Sequence, residues 1–402
     1  MKILHLILLL LSVFIGQLLY AQPQFSINEV DSAKASGNTV TCVVHQQGSR
    51  YFLYSGGDHA FLDAFEISTN GDLTLIESYE TPTTKNRAGL VGLRGIVTDT
   101  VHGKNLLFAG LKGEGAVEVF EIENNGKLKK VFLLEDTEST YLDVVITLQV
   151  VHMENDTYLF AGGLEKSPGM SSYKIMPDGS MQHVQSQPDT DEIFNDGIIG
   201  MSLHRVDGKT FLFTGGFHDN GLSSFRVYED GTFENISNIE DTETRYLNGT
   251  YPVISSSLEG RNYVVVGHRH HIYYKPTPWV KDRESYYYHG DAISVFIVDK
   301  DGEILPRSIF RGNAETLIKG QTRLQSLPIS EKYDLIAAAT RDDKSIQLCV
   351  LDWKGLLTDA GKIKTGFPMY YGLAGHEIDG KLFLFAGAVS DERIVSYRLD
   401  EK

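Results

Sequence analysis

Seven stretches decide how this chain folds: Phe52-Leu-Tyr-Ser-Gly56, Leu106-Leu-Phe-Ala-Gly110, Tyr158-Leu-Phe-Ala-Gly162, Phe211-Leu-Phe-Thr-Gly215, Tyr263-Val-Val-Val-Gly267, Leu335-Ile-Ala-Ala-Ala339 and Phe383-Leu-Phe-Ala-Gly387. Successive copies start 54, 52, 53, 52, 72 and 48 residues apart. After each comes a second phrase, an aromatic residue followed two positions on by Ile or Val and six positions on by Gly. It reads Phe65/Gly71, Phe120/Gly126, Tyr173/Gly179, Phe225/Gly231, Phe296/Gly302 and, with Cys in the aromatic slot, Cys349/Gly355. A repeat of this length is one supersecondary unit that cannot bury its apolar face alone, so the copies must stack.

Each copy reads as four short strands. An inner strand such as 39–44 precedes the continuous apolar phrase, which suits a strand buried on both faces between neighbours. A third, alternating strand such as Val117-Glu-Val-Phe-Glu-Ile122 then turns at Asn-Gly or Asp-Gly into an outer strand. No segment past the first twenty residues sustains helical apolar spacing for three turns. The expected architecture is therefore all-β, a seven-bladed β-propeller of four-stranded blades. The seventh copy is cut short: Tyr397 stands in the aromatic slot and the chain ends at Lys402, where the hairpin Gly is due one residue later. The unassigned segment 25–31 is of strand length, so the N-terminus is expected to supply the outer strand of blade 7 and close the ring.

These blade strings resemble those of the seven-bladed β-propeller superfamily, and within it the lactonase-like propellers, over the whole stretch from Phe25 to Lys402. The resemblance implies hydrolysis of a lactone. Its motifs specify blades and carry over no catalytic residue position by position.

The chain has 402 residues, with 37 Lys and Arg against 53 Asp and Glu, a formal charge of -16. An excess of that sign repels phosphate backbones, so nucleic acid is not expected as a partner. Met1-Lys2, an apolar run from Ile3 and a small residue at Ala21 read as a secretory signal over 1–21, leaving 22–402 as one propeller domain, secreted or periplasmic, with no membrane span. Cys42 and Cys349 are far apart and match no zinc or iron-sulfur spacing, so buried free thiols are expected.

Chemistry is expected on the face where the second strand of each blade turns into the third. In blade 5 that interval, Gly267 to Phe296, is 29 residues, against 9 to 11 elsewhere. The insertion at 268–289 holds four His, five Tyr, one Trp and four Lys or Arg against two acids. On an acidic chain it suits an anionic or sugar-like ligand, with Tyr274, Trp279 and His289 as ligand contacts and His268, His270, His271 and Tyr273 as proton-transferring groups. Two of the three clustered histidines at most could serve one metal, because alternate strand residues point to opposite sides. Arg94 and Arg323, in or beside inner strands, are expected in the central funnel as further catalytic groups.

Asp143, Asp196 and Asn248 each lie 19 residues before the Gly of their blade. They are expected to converge on the funnel, to bind a polar ligand or a hard cation, of which calcium suits such oxygens; as turn caps they would instead bind backbone amides. Asp136, Asp189 and Asp241, 26 residues before the same Gly, are expected in solvated turns. No Gly-x-Ser-x-Gly elbow, Walker loop, dinucleotide fingerprint or His-Glu-x-x-His is present in the sequence. Three functions are consistent with this pattern: a lactonase-like hydrolase of a small polar or sugar-like substrate, a non-catalytic propeller binding a glycan, peptide or protein partner, and a lyase acting on acidic glycans.

Overall fold

The structure, a computed structural model, describes residues 22–58, 61–80, 92–112, 115–164, 168–269 and 291–402. Its strands form seven four-stranded antiparallel sheets, and in six of them the strands follow chain order from the inside outward. Blade 1 comprises β1's neighbour in sequence and the next three: β2 (Thr39–Gln47), β3 (Arg50–Gly57), β4 (Phe61–Ile67) and β5 (Leu73–Glu80), where β1 is Phe25–Lys34. The inner strands of blades 2 to 7 are β6 (Gly92–Val101), β10 (Thr147–His152), β14 (Ile198–Val206), β18 (Thr250–Leu258), β22 (Gln321–Ser330) and β26 (Leu373–Ile378). Every apolar phrase forms the second strand of its blade.

Blade 7 is ordered differently. The N-terminal strand β1 pairs antiparallel with β28 (Arg393–Glu401), from Phe25 opposite Glu401 to Lys34 opposite Arg393, and β28 in turn pairs with β27 (Lys381–Ala388). The chain thus supplies the missing outer strand from its other end, as the truncated seventh copy requires. Ring closure this way covers an edge that would otherwise expose a row of unpaired backbone groups.

The two recurring phrases meet between blades. Phe52, Tyr158, Phe211, Tyr263 and Phe383, which open the apolar phrases, are at most 1% exposed. The hairpin glycine of the following blade lies against each ring: a methyl group at Gly231 would stand 2.3 Å from Tyr158, and one at Gly302 would stand 2.4 Å from Phe211. Both glycines have positive φ, +79° and +88°, so sterics and backbone both demand the missing side chain. The Oη of Tyr54 donates to the carbonyl of Gly126 in the next blade at 2.9 Å. Burying a full aromatic ring at each seam contributes on the order of 2–3 kcal/mol, so the repeat is held by contacts that need a neighbour on both sides. Cys42 and Cys349 are buried free thiols whose pKa burial raises, that of Cys42 to about 12.

Candidate functional site

At one mouth of the ring the inner strands surround a cavity of about 330 Å³. Six of its lining residues occupy one repeat position, sixteen residues before the last residue of each apolar phrase: Val40, Arg94, Ile146, Ile199, Tyr251 and Tyr371. In β2, β6 and β14 this residue sits in a register shift, between Thr39 and Thr41, Leu93 and Gly95, and Ile198 and Gly200. A bulged residue turns its side chain off the sheet face, and with Tyr251 in the shift between Thr250 and Val253 that aims four side chains at the axis, while Ile146 and Tyr371 stand just before their inner strands. Blade 6 departs from the rule. Its inner strand shifts register between Gln321 and Arg323, which puts Thr322 in the bulge and Arg323 one residue deeper. The hydroxyl of Thr322 donates to the Met369 carbonyl at 2.9 Å.

The upper wall comes from residues just past the second strands. Arg269, only 9% exposed, follows β19 (Arg261–His268). Its amide donates to the carbonyl of Gly249 at 2.9 Å. Gly249 has φ +57°, and a Cβ there would lie 2.0 Å from the Arg269 carbonyl, so only glycine lets the two segments approach. Gly197 holds Phe217 in the same way: the Phe217 amide donates to the Gly197 carbonyl at 3.1 Å.

The polar groups form two constellations. Arg94 pairs with Asp58 at 2.6 Å. Across the cavity, Nη1 of Arg269 donates to Oη of Tyr251 at 3.1 Å, and Oη of Tyr251 donates to Oη of Tyr371 at 2.5 Å. The two tyrosine rings stack, with centroids 5.4 Å apart and planes 4° from parallel. The Arg269 guanidinium also stands 5.3 Å from the Tyr251 ring and 5.2 Å from the Tyr370 ring, cation–π distances that stabilise its charge where no carboxylate pairs with it among the described residues. Burial pushes the Tyr371 hydroxyl well above its usual range, and its contact with Tyr251 adds to the shift while Arg269 and Arg94 oppose it. Tyr371 therefore keeps its proton at any physiological pH. Arg323 lies within electrostatic reach of Tyr371 and Cys42; burial lowers its pKa from the ordinary value, and its Nε has no acceptor.

The residues expected from sequence fall out unevenly. Arg94 lines the cavity, whereas Arg323 is not among the lining residues, because the register shift after Gln321 puts Thr322 in the bulge instead, and it reaches Tyr371 only electrostatically. His268 is fully buried in β19, its Nε2 3.1 Å from the Ser294 hydroxyl, and burial holds its pKa down near 3. It is a neutral imidazole and stands apart from the lining. Asp143, Asp196 and Asn248 are not among the lining residues. Asp196 accepts from Nδ1 of His218 at 2.7 Å, and Asn248 is completely buried with neither amide atom hydrogen-bonded. His270, His271, Tyr273, Tyr274, Trp279 and His289 lie outside the described residues, as does 1–21. Among the described residues no group of three or more His, Cys, Asp or Glu could hold a metal ion.

Asp136, Asp189 and Asp241 do shape the rim. Their carboxylates accept the amides of Leu142, Asn195 and Leu247 at 3.1, 2.9 and 2.6 Å, each six residues ahead. These side chains close the loops whose next residues bracket the cavity wall, so they are caps in the sense of a local amide acceptor. Near them Asp219 is pushed up to about 7, first by burial and then by Asp189 and Asp196.

No family model and no curated protein matches this chain. In three dimensions 809 solved chains match it, so the architecture is shared too widely to single out a chemistry. One of them is a protein from Lactobacillus plantarum whose crystal structure was determined by a structural genomics consortium; it has 12% sequence identity and a TM-score of 0.57, over 88% of this chain and 98% of that one. The protein is a seven-bladed β-propeller. At that identity the likeness carries the architecture alone.

Proposed function

We propose that this protein is an extracytoplasmic propeller that binds a small organic acid, of sugar-acid size, in its central cavity. The observation that carries the reading is Arg269: a guanidinium 9% exposed, facing the cavity, whose strongest electrostatic neighbours are the tyrosines 251, 371 and 370. Asp58 is the only carboxylate among the described lining residues, and Arg94 already holds it. A buried cation without a counter-ion is costly, and a ligand carboxylate of matching geometry relieves that cost. The cavity of about 330 Å³ lies at the small end for ligand sites, which favours a monosaccharide-sized molecule over a glycan chain or a peptide. Export through 1–21 fits the apolar run after Lys2, and N-terminal sequencing of the protein from its native host tests it.

A lactonase-like hydrolase is the second reading, and the Asp58–Tyr371 arrangement favours it. The Asp58 side chain is 37% exposed, open to water, while Tyr371 on the same cavity holds a proton to donate to a carbonyl oxygen. Asp58 would take the proton from water as the water oxygen bonds the lactone carbonyl; the ring C–O bond then breaks, Asp58 returns that proton to the departing alkoxide, and the new acid releases its own proton to solvent, leaving its carboxylate at Arg269. The lyase reading is weaker, because a base must give up its proton first and Tyr371 does not.

Calorimetric titration with a panel of sugar acids and their lactones, with turnover followed by acid release, separates the readings. Arg269→Gln should weaken acid binding by about 100-fold, the loss of a charge-assisted pair in a buried site. Asp58→Asn should abolish lactone turnover while leaving acid binding within about threefold. Binding without turnover leaves the protein a binder, and an Arg269→Gln variant of unchanged affinity removes the site.

A further inference from the structure

The polar arc of the cavity has a direction. Arg269 can only donate, and it donates to Tyr251; Tyr251 then donates its single proton to Tyr371. Tyr371 accepts from inside the wall, and its own proton is left at the end of the chain. That residue is 7% exposed and lines the cavity, so the proton has the ligand as its outlet. Around this one hydroxyl stand three guanidinium groups: Arg94 and Arg269 act on Tyr371 directly, and Arg323 feels Tyr371 from one residue below the ring. Of the three, Arg94 is paired with a carboxylate, while Arg323 has an Nε buried without an acceptor.

We propose that Tyr371 is the specificity-determining residue of this cavity: it requires an oxygen acceptor next to the ligand's carboxylate, so that the site takes hydroxy or oxo acids and rejects amino acids of the same shape. The inference rests on the anion reading above. A hydroxyl or carbonyl oxygen accepts the Tyr371 proton, whereas an ammonium group offers only donors to a donor. The ammonium also enters a field set by Arg269 and Arg323, where like charge repels over a few ångströms of low-dielectric protein. Both effects act in the same direction and neither needs the ligand to be longer or bulkier.

The test uses D-gluconate and 2-amino-2-deoxy-D-gluconate, which differ by one hydroxyl against one ammonium. Calorimetry on the full protein at pH 7 should show gluconate binding at least ~10-fold tighter, the scale of one unmatched donor in a buried site. Tyr371→Phe keeps the stacked ring and removes the donor; gluconate should weaken about 10-fold and the ratio between the two acids should fall several-fold. Arg323→Met removes charge: both acids lose attraction to their carboxylate, but only the amino acid is also relieved of repulsion on its ammonium, so the affinity ratio of gluconate to the amino acid should fall several-fold. Equal affinities in the unaltered protein, or an unchanged ratio in Tyr371→Phe, overturn the inference. If gluconate binds and Arg269→Gln abolishes it while the two acids remain equal, the anion site stands and only the filter fails. If neither acid binds, both fall.

Discussion

One repeat position is filled in two ways around the same ring. Blades 1, 3 and 4 place Val40, Ile146 and Ile199 there, and blades 2, 5 and 7 place Arg94, Tyr251 and Tyr371. In four of these blades the backbone device is a register shift that frees a residue from the sheet face, and in the other two the residue stands just before the inner strand. Blades 3 and 4 form a continuous apolar arc that Phe217 extends, its ring meeting Tyr251 edge-on at 5.4 Å, and blades 5 to 7 form the polar arc with Arg269, while Val40 of blade 1 and Arg94 of blade 2 stand between the two. A propeller can therefore build a site with one amphiphilic wall by changing one side chain per blade, because each blade's stability lies in its seams and outer strands, away from the axis. A ligand matched to such a wall has a carbon face and an oxygen face, as a sugar acid does.

The largest effect should come from breaking the ring that presents both arcs. Deleting Gln22 to Ser36 removes β1 and exposes the edge of β28; the melting temperature should fall by more than about 10 °C. A truncated chain melting within about 2 °C of the intact one would show that closure by the N-terminus contributes nothing to the fold.

Next in size is an inversion of the apolar arc. Ile199→Asp puts a carboxylate in the blade next to that of Arg269, on the same ring position, where it competes with an incoming acid. Affinity for gluconate should drop by about 100-fold at low salt and partly recover as salt is raised. An equal loss at all ionic strengths would mean that the substitution acts by repacking, and the two arcs would then not be electrostatically opposed.

The smallest effect belongs to the rim beside the apolar arc. Asp219 is raised from 3.8 to about 7, so the folded chain holds this proton more tightly than the unfolded chain does. Its contribution to stability is complete below the unfolded value and is lost as pH rises through the folded one. Asp219→Asn, which mimics the protonated group, should raise the melting temperature by about 2 °C at pH 8 and by clearly less at pH 5, where only the first part of the window between the two values has been crossed. A stabilisation of the same size at both pH values would mean that the gain does not come from the carboxylate's charge.

Legibility in the sequence followed the distance over which each feature is determined. The blades were readable from Phe52-Leu-Tyr-Ser-Gly56 and its copies because a strand buried on both faces needs an unbroken apolar run, and the hairpin glycines needed a positive φ that few other residues adopt. Even the shared last blade could be read, since Tyr397 stands five residues from the end and Phe25 had no other partner. The rim was half legible. Asp143, Asp196 and Asn248 were singled out three residues from the ring position, and Asn248 directly precedes Gly249, the residue that holds Arg269. Counting three residues further would have reached Ile146, Ile199 and Tyr251.

What the sequence by itself determined is the number of blades, their four-strand order and the closure of the ring, all of which follow from local periodicity and turn chemistry. Which side chains reach the axis was decided only in three dimensions. The bulge that turns Arg94 inward depends on pairing between β6 and its neighbour, and the bulge after Gln321 sets Arg323 below the ring although its count matches. Tyr251 and Tyr371 are 120 residues apart, and their hydrogen bond exists because the ring sets blade 5 and blade 7 two places apart around one small cavity. No spacing in a single chain encodes that proximity; it is a consequence of closing the circle.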